Sequence, residues 1–269
     1  MPSLFNARNA ANYERLMGRW SRRLAPVFIA HAGIADGESL LEVGCGTGSL
    51  TFALPEAANI ASITAIDHSE IYLAAVQAKN RDPRIHIEHG DGSALRFADA
   101  SFDRAVSMLV LPAVLPRPEQ AVAEMRRVTR PGGVVCAAFW DSPGGSVANR
   151  MFWDTAAALD EAAAAARDRT MGRPIYAPGA LPRIWAEVGL SEIDLRSLTI
   201  RMDFANFEDY WSPYASGEGM LGEYVASLDQ AHRERLDGSL RSAYLCGRPD
   251  GERSFVAVAL SCRGIVPRG

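Results

Sequence analysis

A doubly wound α/β fold with a mostly parallel sheet is predicted for this chain by two observations. From Leu40 to Trp140 short apolar runs alternate with helical patterns, and the first run leads into a turn rich in glycine, LLEVGCGTGSLT over residues 40–51. Strands that alternate with helices are joined by crossovers, and crossovers build a parallel sheet covered on both faces. SLLEV, ITAID, IHIEH, FDRAVSM and VVCAAFW each read as a strand of apolar or β-branched residues. Between them SEIYLAAVQAKN and RPEQAVAEMRRVT read as helices. In the second, Ala121, Val122, Met125 and Val128 recur on one face, and Arg130-Pro131-Gly132-Gly133 supplies the stop. Ahead of the sheet, Trp20 to Gly33 reads as a helix. After Trp140 the rhythm changes: Met151 to Arg169 reads as one alanine-rich helix, ALPRIWAEVGL as another, and EIDLRSLTIRMDF and RSFVAVALSC as two closing strands. The expectation is a seven-stranded sheet with an antiparallel closing strand. The polar, aromatic stretch over 206–247 interrupts the closing strands and reads as an inserted helical cap. The chain then divides into lead helices over 1–33, a core over 34–205 and 248–269, and the cap.

Composition narrows the function classes. With 269 residues, 48% of them hydrophobic, the chain is long enough to bury a sizeable core. Its 28 basic and 32 acidic residues give a net charge of −4, so no broad positive field exists to hold nucleic acid or an anionic membrane. Cys45, Cys136, Cys246 and Cys262 are far apart and form no C-x-x-C pair, which argues against structural zinc or a disulfide framework. They read as reduced thiols of a cytoplasmic protein. No window approaches the ~20 apolar residues of a membrane span, and the first residues carry no leader pattern.

The glycine turn carries the chemistry. In an open parallel sheet the ligand lies beyond the carboxyl ends of the strands, and the first strand-to-helix turn comes closest to it. Gly44, Gly46 and Gly48 remove side chains there and permit dihedrals closed to other residues. Dinucleotide folds that cradle pyrophosphate use G-x-G-x-x-G. Here the third glycine falls at position 48, Ser49 follows, and Glu42 stands two residues before the first glycine. A carboxylate at that place suits a cationic or amine-bearing ligand and repels phosphate.

An acidic residue, one spacer and G-x-G-x-G resembles the first motif of the class I S-adenosylmethionine-dependent methyltransferases, closest to the small-molecule group that includes ubiquinone and menaquinone methyltransferases. The motifs of the resemblance cover roughly residues 20–139. It implies a Rossmann-like fold, S-adenosyl-L-methionine as cofactor, and Glu42, Gly44, Cys45, Gly46 and Gly48 at the cofactor turn. Asp67, which ends the second strand, is placed to accept the ribose hydroxyls, with His68 flanking the adenine; its alternative is a helix cap beside Ser69. Asp91 and Gly92 follow the third strand, where an acidic side chain holds the adenine amino group in the family; an ordinary Asp-Gly turn is the alternative. Ser107, Met108 and Leu109 fall at the cofactor edge or in plain core. In NYERLMGRWSRRLAP, Tyr13, Arg19 and Trp20 either fold over the cofactor or pack as a surface helix. The chain lacks the N/D-P-P-Y motif of amino-group methyltransferases after its fourth strand, where Ser107-Met108-Leu109-Val110 stand instead.

A methyltransferase chiefly aligns the acceptor, excludes water and, where needed, removes a proton. Among the histidines, His68 and His86 read as structural more readily than catalytic, and His232 in AHRERLD is a weak candidate base that faces either acceptor or solvent. Trp140, Trp153, Tyr176, Trp211 and Tyr214 either line an apolar acceptor pocket or fill the core between cap and sheet. The partner expected is a small-molecule acceptor. Two rival classes share the fold: a nicotinamide-dependent oxidoreductase, which would want a third glycine at position 49, and a non-catalytic module, either nucleoside-binding or using the fold for protein contacts; the latter would keep the packing glycines while losing Glu42, Asp67 and Asp91, all of which are present.

Overall fold

The computed structural model describes residues 9–111, 117–217 and 219–268. Seven strands form one sheet: β1 (Ser39–Val43), β2 (Ser62–Asp67), β3 (Ile85–His89), β4 (Phe102–Met108), β5 (Thr129–Trp140), β6 (Ser191–Phe204) and β7 (Arg253–Ile265). Their order is β3-β2-β1-β4-β5-β7-β6, with β7 antiparallel to both neighbours and the first five strands parallel. The fold is therefore the Rossmann-like α/β sheet expected. The chain winds outward from β1 to β3 and then crosses back to β4 on the other side of β1. That reversal opens a crevice at the carboxyl ends of β1 and β4.

Period-2 alternation sorts β1 between two cores. Leu40 faces the layer formed with α2 (Arg19–Ala32), where Leu24, Ala25 and Phe28 are fully buried. Leu41 and Val43 face the layer formed with α5 (Pro118–Val128) and α8 (Ala180–Glu187), around Val122, Met125 and Trp185. Helix α3 (Leu54–Ala57) packs on α2, and α4 (Glu70–Lys79) packs on β2 and β3, capped by Ser69, whose hydroxyl accepts from Tyr72 N. Helix α5 ends at Val128, ahead of the Arg130-Pro131-Gly132-Gly133 stop as expected, but those residues lie inside β5, which begins at Thr129 paired with Phe102; a register shift between Phe102 and Arg104 absorbs them.

The lead segment is α1 (Ala10–Tyr13), a π turn (Glu14–Gly18) and α2, which ends at Gly33 in the left-handed conformation. The alanine-rich stretch is two helices, not one: α6 (Val147–Leu159) and α7 (Glu161–Met171). Asp160 lies between them in extended conformation, and its carboxylate accepts from Ala162 N to start α7. The cap over 206–247 contains α9 (Phe207–Ala215), α10 (Gly219–Ser227) and α11 (Gln230–Leu245). It does not stand alone, because α6 packs on α11 and three tyrosines join the two inserts. Tyr210 donates to Ala148 O at 3.1 Å, Tyr214 to Asn149 Oδ1 at 3.3 Å and Tyr224 to Asp160 Oδ2 at 2.9 Å. Apolar packing runs without interruption from α2 through the sheet to Tyr210 and Tyr244.

Candidate active site

The turn after β1 fixes the floor of a cavity in the crevice. Gly44, Gly46 and Gly48 all have positive φ, at 78°, 54° and 93°, a conformation that side chains resist. Their surroundings differ. A Cβ on Gly44 would run into the Val110 side chain, and one on Gly48 would stand 2.5 Å from the Phe52 ring. A Cβ on Gly46 would meet only the Tyr13 hydroxyl, at 3.8 Å. The outer two glycines thus serve packing, and the middle one opens the backbone toward the cavity. Ile66 O accepts from Gly44 N at 2.8 Å and Cys45 N at 2.9 Å, which pins the turn to β2.

Two carboxylates stand beside this turn. Asp67 Oδ2 accepts from Gly46 N and Oδ1 from Ser69 N, both at 2.8 Å; the helix cap is Ser69 and not Asp67, whose carboxylate keeps lone pairs to spare beside the turn. Glu42 is buried and accepts from Thr51 Oγ1 at 2.7 Å. Loss of hydration, and secondarily the charge of Asp67, push its carboxyl up to about 7, against which the Thr51 hydrogen bonds act. Burial, followed by the charges of Glu42 and Asp67, likewise holds the Cys45 thiol well above its ordinary range, so it stays protonated.

The cavity brings together Tyr13, Glu42, Gly44, Cys45, Gly46, Asp67, His68, Met108, Trp140, Tyr176 and Tyr214 from the candidates. Other candidates stand elsewhere. Gly48 supports the turn from behind. Asp91 is exposed, and its Oδ1 accepts from Ser93 N at 2.8 Å and Ser93 Oγ at 2.6 Å; neither it nor Gly92 lines the cavity. Ser107 is fully buried and donates to Val43 O at 2.9 Å, joining β4 to β1. Arg19 turns away to Asp209, at 2.7 Å, and lies over the Trp20 ring at 4.3 Å, tying the lead helix to the cap. Trp211 is buried behind the wall and stacks on Phe207 at 6.4 Å between centroids. His232 is exposed on α11 and pairs with Asp229 at 2.8 Å, away from the cavity, so it is not positioned as a base.

Sequence reasoning missed several lining groups: Leu16 and Met17 from the π turn, Ser49, Ser142, Asn149, Thr170 and Arg173. A π turn in a wall of this kind was a findable sign only in three dimensions. Leu109 also lines the cavity, with φ 67°, a strained conformation for leucine. No group of three or more His, Cys, Asp or Glu is arranged to hold a metal among the described residues, and none of their helices is long and apolar enough to cross a membrane.

Comparison with known proteins agrees with this geometry. Residues 41–137 match the family model described as a methyltransferase domain. A phosphatidylethanolamine N-methyltransferase of Cereibacter sphaeroides is 36% identical over 129 residues, 46% of this chain and 61% of that protein. A demethylmenaquinone methyltransferase of Renibacterium salmoninarum is 37% identical over 123 residues, 46% of this chain and 50% of that one. The matched stretch thus spans about half the length of these curated relatives. Among solved structures, a Haemonchus contortus phosphoethanolamine N-methyltransferase 2 in complex with S-adenosyl-L-methionine superposes with a TM-score of 0.59 at 13% identity, covering 96% of this chain and 57% of that one. These findings support a methyltransferase of the class I S-adenosylmethionine-dependent type, with the domain match spanning residues 41–137.

The residues present fit the family's methyl donor. The backbone at Gly46 faces the cavity without an intervening side chain, Ser49 Oγ is buried there with no hydrogen-bond partner among the described residues, and two carboxylates lie beside the turn. Such a donor set suits hydroxyls and an ammonium group and disfavours a pyrophosphate.

Proposed function

We propose that this protein transfers a methyl group from S-adenosyl-L-methionine to a small-molecule acceptor bound between the sheet crevice and the helical inserts. The observation that carries the reading is one continuous cavity that joins the Gly44–Gly46 turn, with Glu42 and Asp67, to a second wall made by Trp140, Tyr176 and Tyr214. When bound, the sulfonium donor supplies an activated methyl carbon, to which the acceptor's lone pair forms the new bond while the C–S pair returns to sulfur. Asp67 and the Gly46 turn would hold the ribose end, and Glu42 would attract the cationic amino-acid end.

The chain's own task is alignment and exclusion of water. Leu16, Met17, Leu109, Phe139 and Trp140 line the cavity with apolar surface, and the Trp140 indole is fixed by its Nε1 donating to Met17 Sδ at 3.2 Å. Tyr176 and Tyr214 are held above the ordinary tyrosine range by burial, so they serve as hydrogen-bond donors and not as bases. With neither tyrosine available as a base, the reading takes an acceptor with nucleophilicity of its own, as a phenolate, thiolate, amine or stabilised carbanion. A screen with methyl-labelled S-adenosylmethionine against acceptors of those four classes tests the reading: label must appear in one class, together with S-adenosylhomocysteine. Bound donor with no transfer to any of them would favour a non-catalytic nucleoside-binding module.

A further inference from the structure

We infer that Thr51 is a positioning residue for the methyl donor: its hydroxyl holds the Glu42 carboxylate in place for the ammonium of the donor's amino-acid end. The inference rests on the proposed donor reading for the identity of the ligand, but the geometry beneath it is independent. Thr51 stands between the Gly44–Gly48 turn and α3 and does not itself line the cavity, whereas Glu42 does. Thr51 is fully buried and Glu42 is 2% exposed. Thr51 Oγ1 donates to Glu42 Oε2 at 2.7 Å, the length of a charge-assisted bond between a hydroxyl and a carboxylate.

Glu42 depends on this donor because its other neighbours do not favour its charge. On the adjacent strands it stands in register with Ala65 of β2 and Val106 of β4. The ionisable groups that act on it or share its wall are acids, thiol and phenol: Asp67 at the end of β2, Cys45 in the turn and Tyr13 from the lead segment. His68 pairs with Asp67, at 3.6 Å. Among the described residues no arginine or lysine forms an ion pair with Glu42. Burial, and then the Asp67 charge, push the carboxyl up, and Thr51 acts in the opposite sense to leave it at about 7. The Thr51 main chain contributes to this as well and survives any side-chain substitution, so a variant reads the hydroxyl alone. Donor binding then draws on the ionised fraction of Glu42, and Thr51 sets that fraction at neutral pH.

The test titrates the full chain calorimetrically from pH 5.5 to 8.5 with two probes: S-adenosylhomocysteine, which carries the amino-acid end, and 5′-methylthioadenosine, which lacks it. The ratio of the two affinities should rise with pH in the wild type, with its midpoint near the Glu42 value of about 7. Thr51→Val should move that midpoint up by roughly one pH unit, the size of one lost hydrogen bond to a charged group. Thr51→Ser keeps the hydroxyl and should restore it. Any effect of Asp67 or His68 on the adenosine end reaches both probes and drops out of the ratio. Urea unfolding supplies a readout without ligand. Thr51→Val should lose more stability than wild type between pH 5 and pH 8, because a carboxyl raised further in the folded chain keeps its proton over a wider range. In the Glu42→Gln background the same substitution should have an effect independent of pH. A ratio that does not vary with pH, a midpoint unmoved in Thr51→Val, or one moved equally in Thr51→Ser would overturn the inference. The two readings fail separately. The steeper pH loss in Thr51→Val, cancelled by Glu42→Gln, without binding of either probe would refute the donor reading alone, and S-adenosylhomocysteine binding with an unmoved midpoint would refute this one alone.

Discussion

Replacing Glu42 by Gln is expected to stabilise the free protein at pH 8 and to leave it nearly unchanged near pH 4.5. The Glu42 carboxyl titrates at about 7 in the folded chain against an ordinary value of 4.5, chiefly because it is buried. Below 4.5 it is protonated in folded and unfolded chains alike, so it exerts no pH-dependent effect. Between 4.5 and 7 the unfolded chain releases this proton while the folded chain keeps it, so the folded state binds more protons and stability falls as pH rises. Above 7 the folded chain ionises too, and the full penalty stands: at 1.36 kcal/mol per unit, the gap corresponds to about 3 kcal/mol. The Gln carbonyl can accept the Thr51 hydroxyl that Glu42 Oε2 accepts at 2.7 Å. Any strain from the new amide is independent of pH and drops out of the comparison. Urea unfolding of both proteins at pH 5, 6, 7 and 8 measures the difference. The Gln variant should gain about 2–3 kcal/mol relative to wild type between pH 5 and pH 8. A difference that is the same at all four values would refute the assignment of a raised carboxyl to this position. The same substitution should weaken S-adenosylmethionine binding at pH 8, because the native carboxylate is an unfavourable charge until a cation neutralises it, an exchange of stability for function.

Further outcomes follow from the geometry. Asp67→Ala removes the acceptor of both Gly46 N and Ser69 N, and should weaken S-adenosylhomocysteine binding by about 1.5–3 kcal/mol in calorimetry; unchanged affinity would remove Asp67 from the site. Gly44→Ala forces a side chain into Val110 and should lower the melting temperature markedly. Gly46→Val, with only the Tyr13 hydroxyl nearby, carries the φ penalty of about 1–2 kcal/mol but should lose most ligand-induced stabilisation. Trp211 and Tyr214 should part company: Trp211→Ala empties a buried packing site and should destabilise by about 3–5 kcal/mol, whereas Tyr214→Phe, on the cavity wall, should raise the acceptor's KM with little change in melting temperature.

The parallel strands were legible as short β-branched or apolar segments between helical patterns: IHIEH, where Ile85 and Ile87 alternate with polar residues on an edge strand, and the largely buried FDRAVSM coincide with β3 and β4 residue for residue. Ends set by pairing were less legible. Thr129 joins β5 only because Phe102 pairs with it across a Pro-Gly-Gly irregularity. The break at Asp160 was hidden by the high helix propensity of the alanines on both sides, although an Asp before Glu161 is a capping signal. At the site, Glu42, the glycines and Asp67 were legible because they lie at the ends of adjacent strands. Ser142, Asn149, Thr170 and Arg173 belong to an insert whose fold brings them to the wall, and no local pattern announces them. The aromatic candidates divide between the two alternatives: Trp140, Tyr176 and Tyr214 line the cavity, whereas Trp153 and Trp211 are buried away from it, although Trp211 and Tyr214 stand only three apart on α9.

The central claim is that the Gly44–Gly46 turn, Glu42 and Asp67 bind the methyl donor and its product and not a nicotinamide dinucleotide. Calorimetric titration of the purified chain with S-adenosylhomocysteine, run beside NADH, tests it most directly. One-site saturation by S-adenosylhomocysteine, weakened in Asp67→Ala, with no saturable heat from NADH, is the predicted result. Saturation by NADH with none by S-adenosylhomocysteine would contradict the account and return the chain to the oxidoreductase reading of its fold.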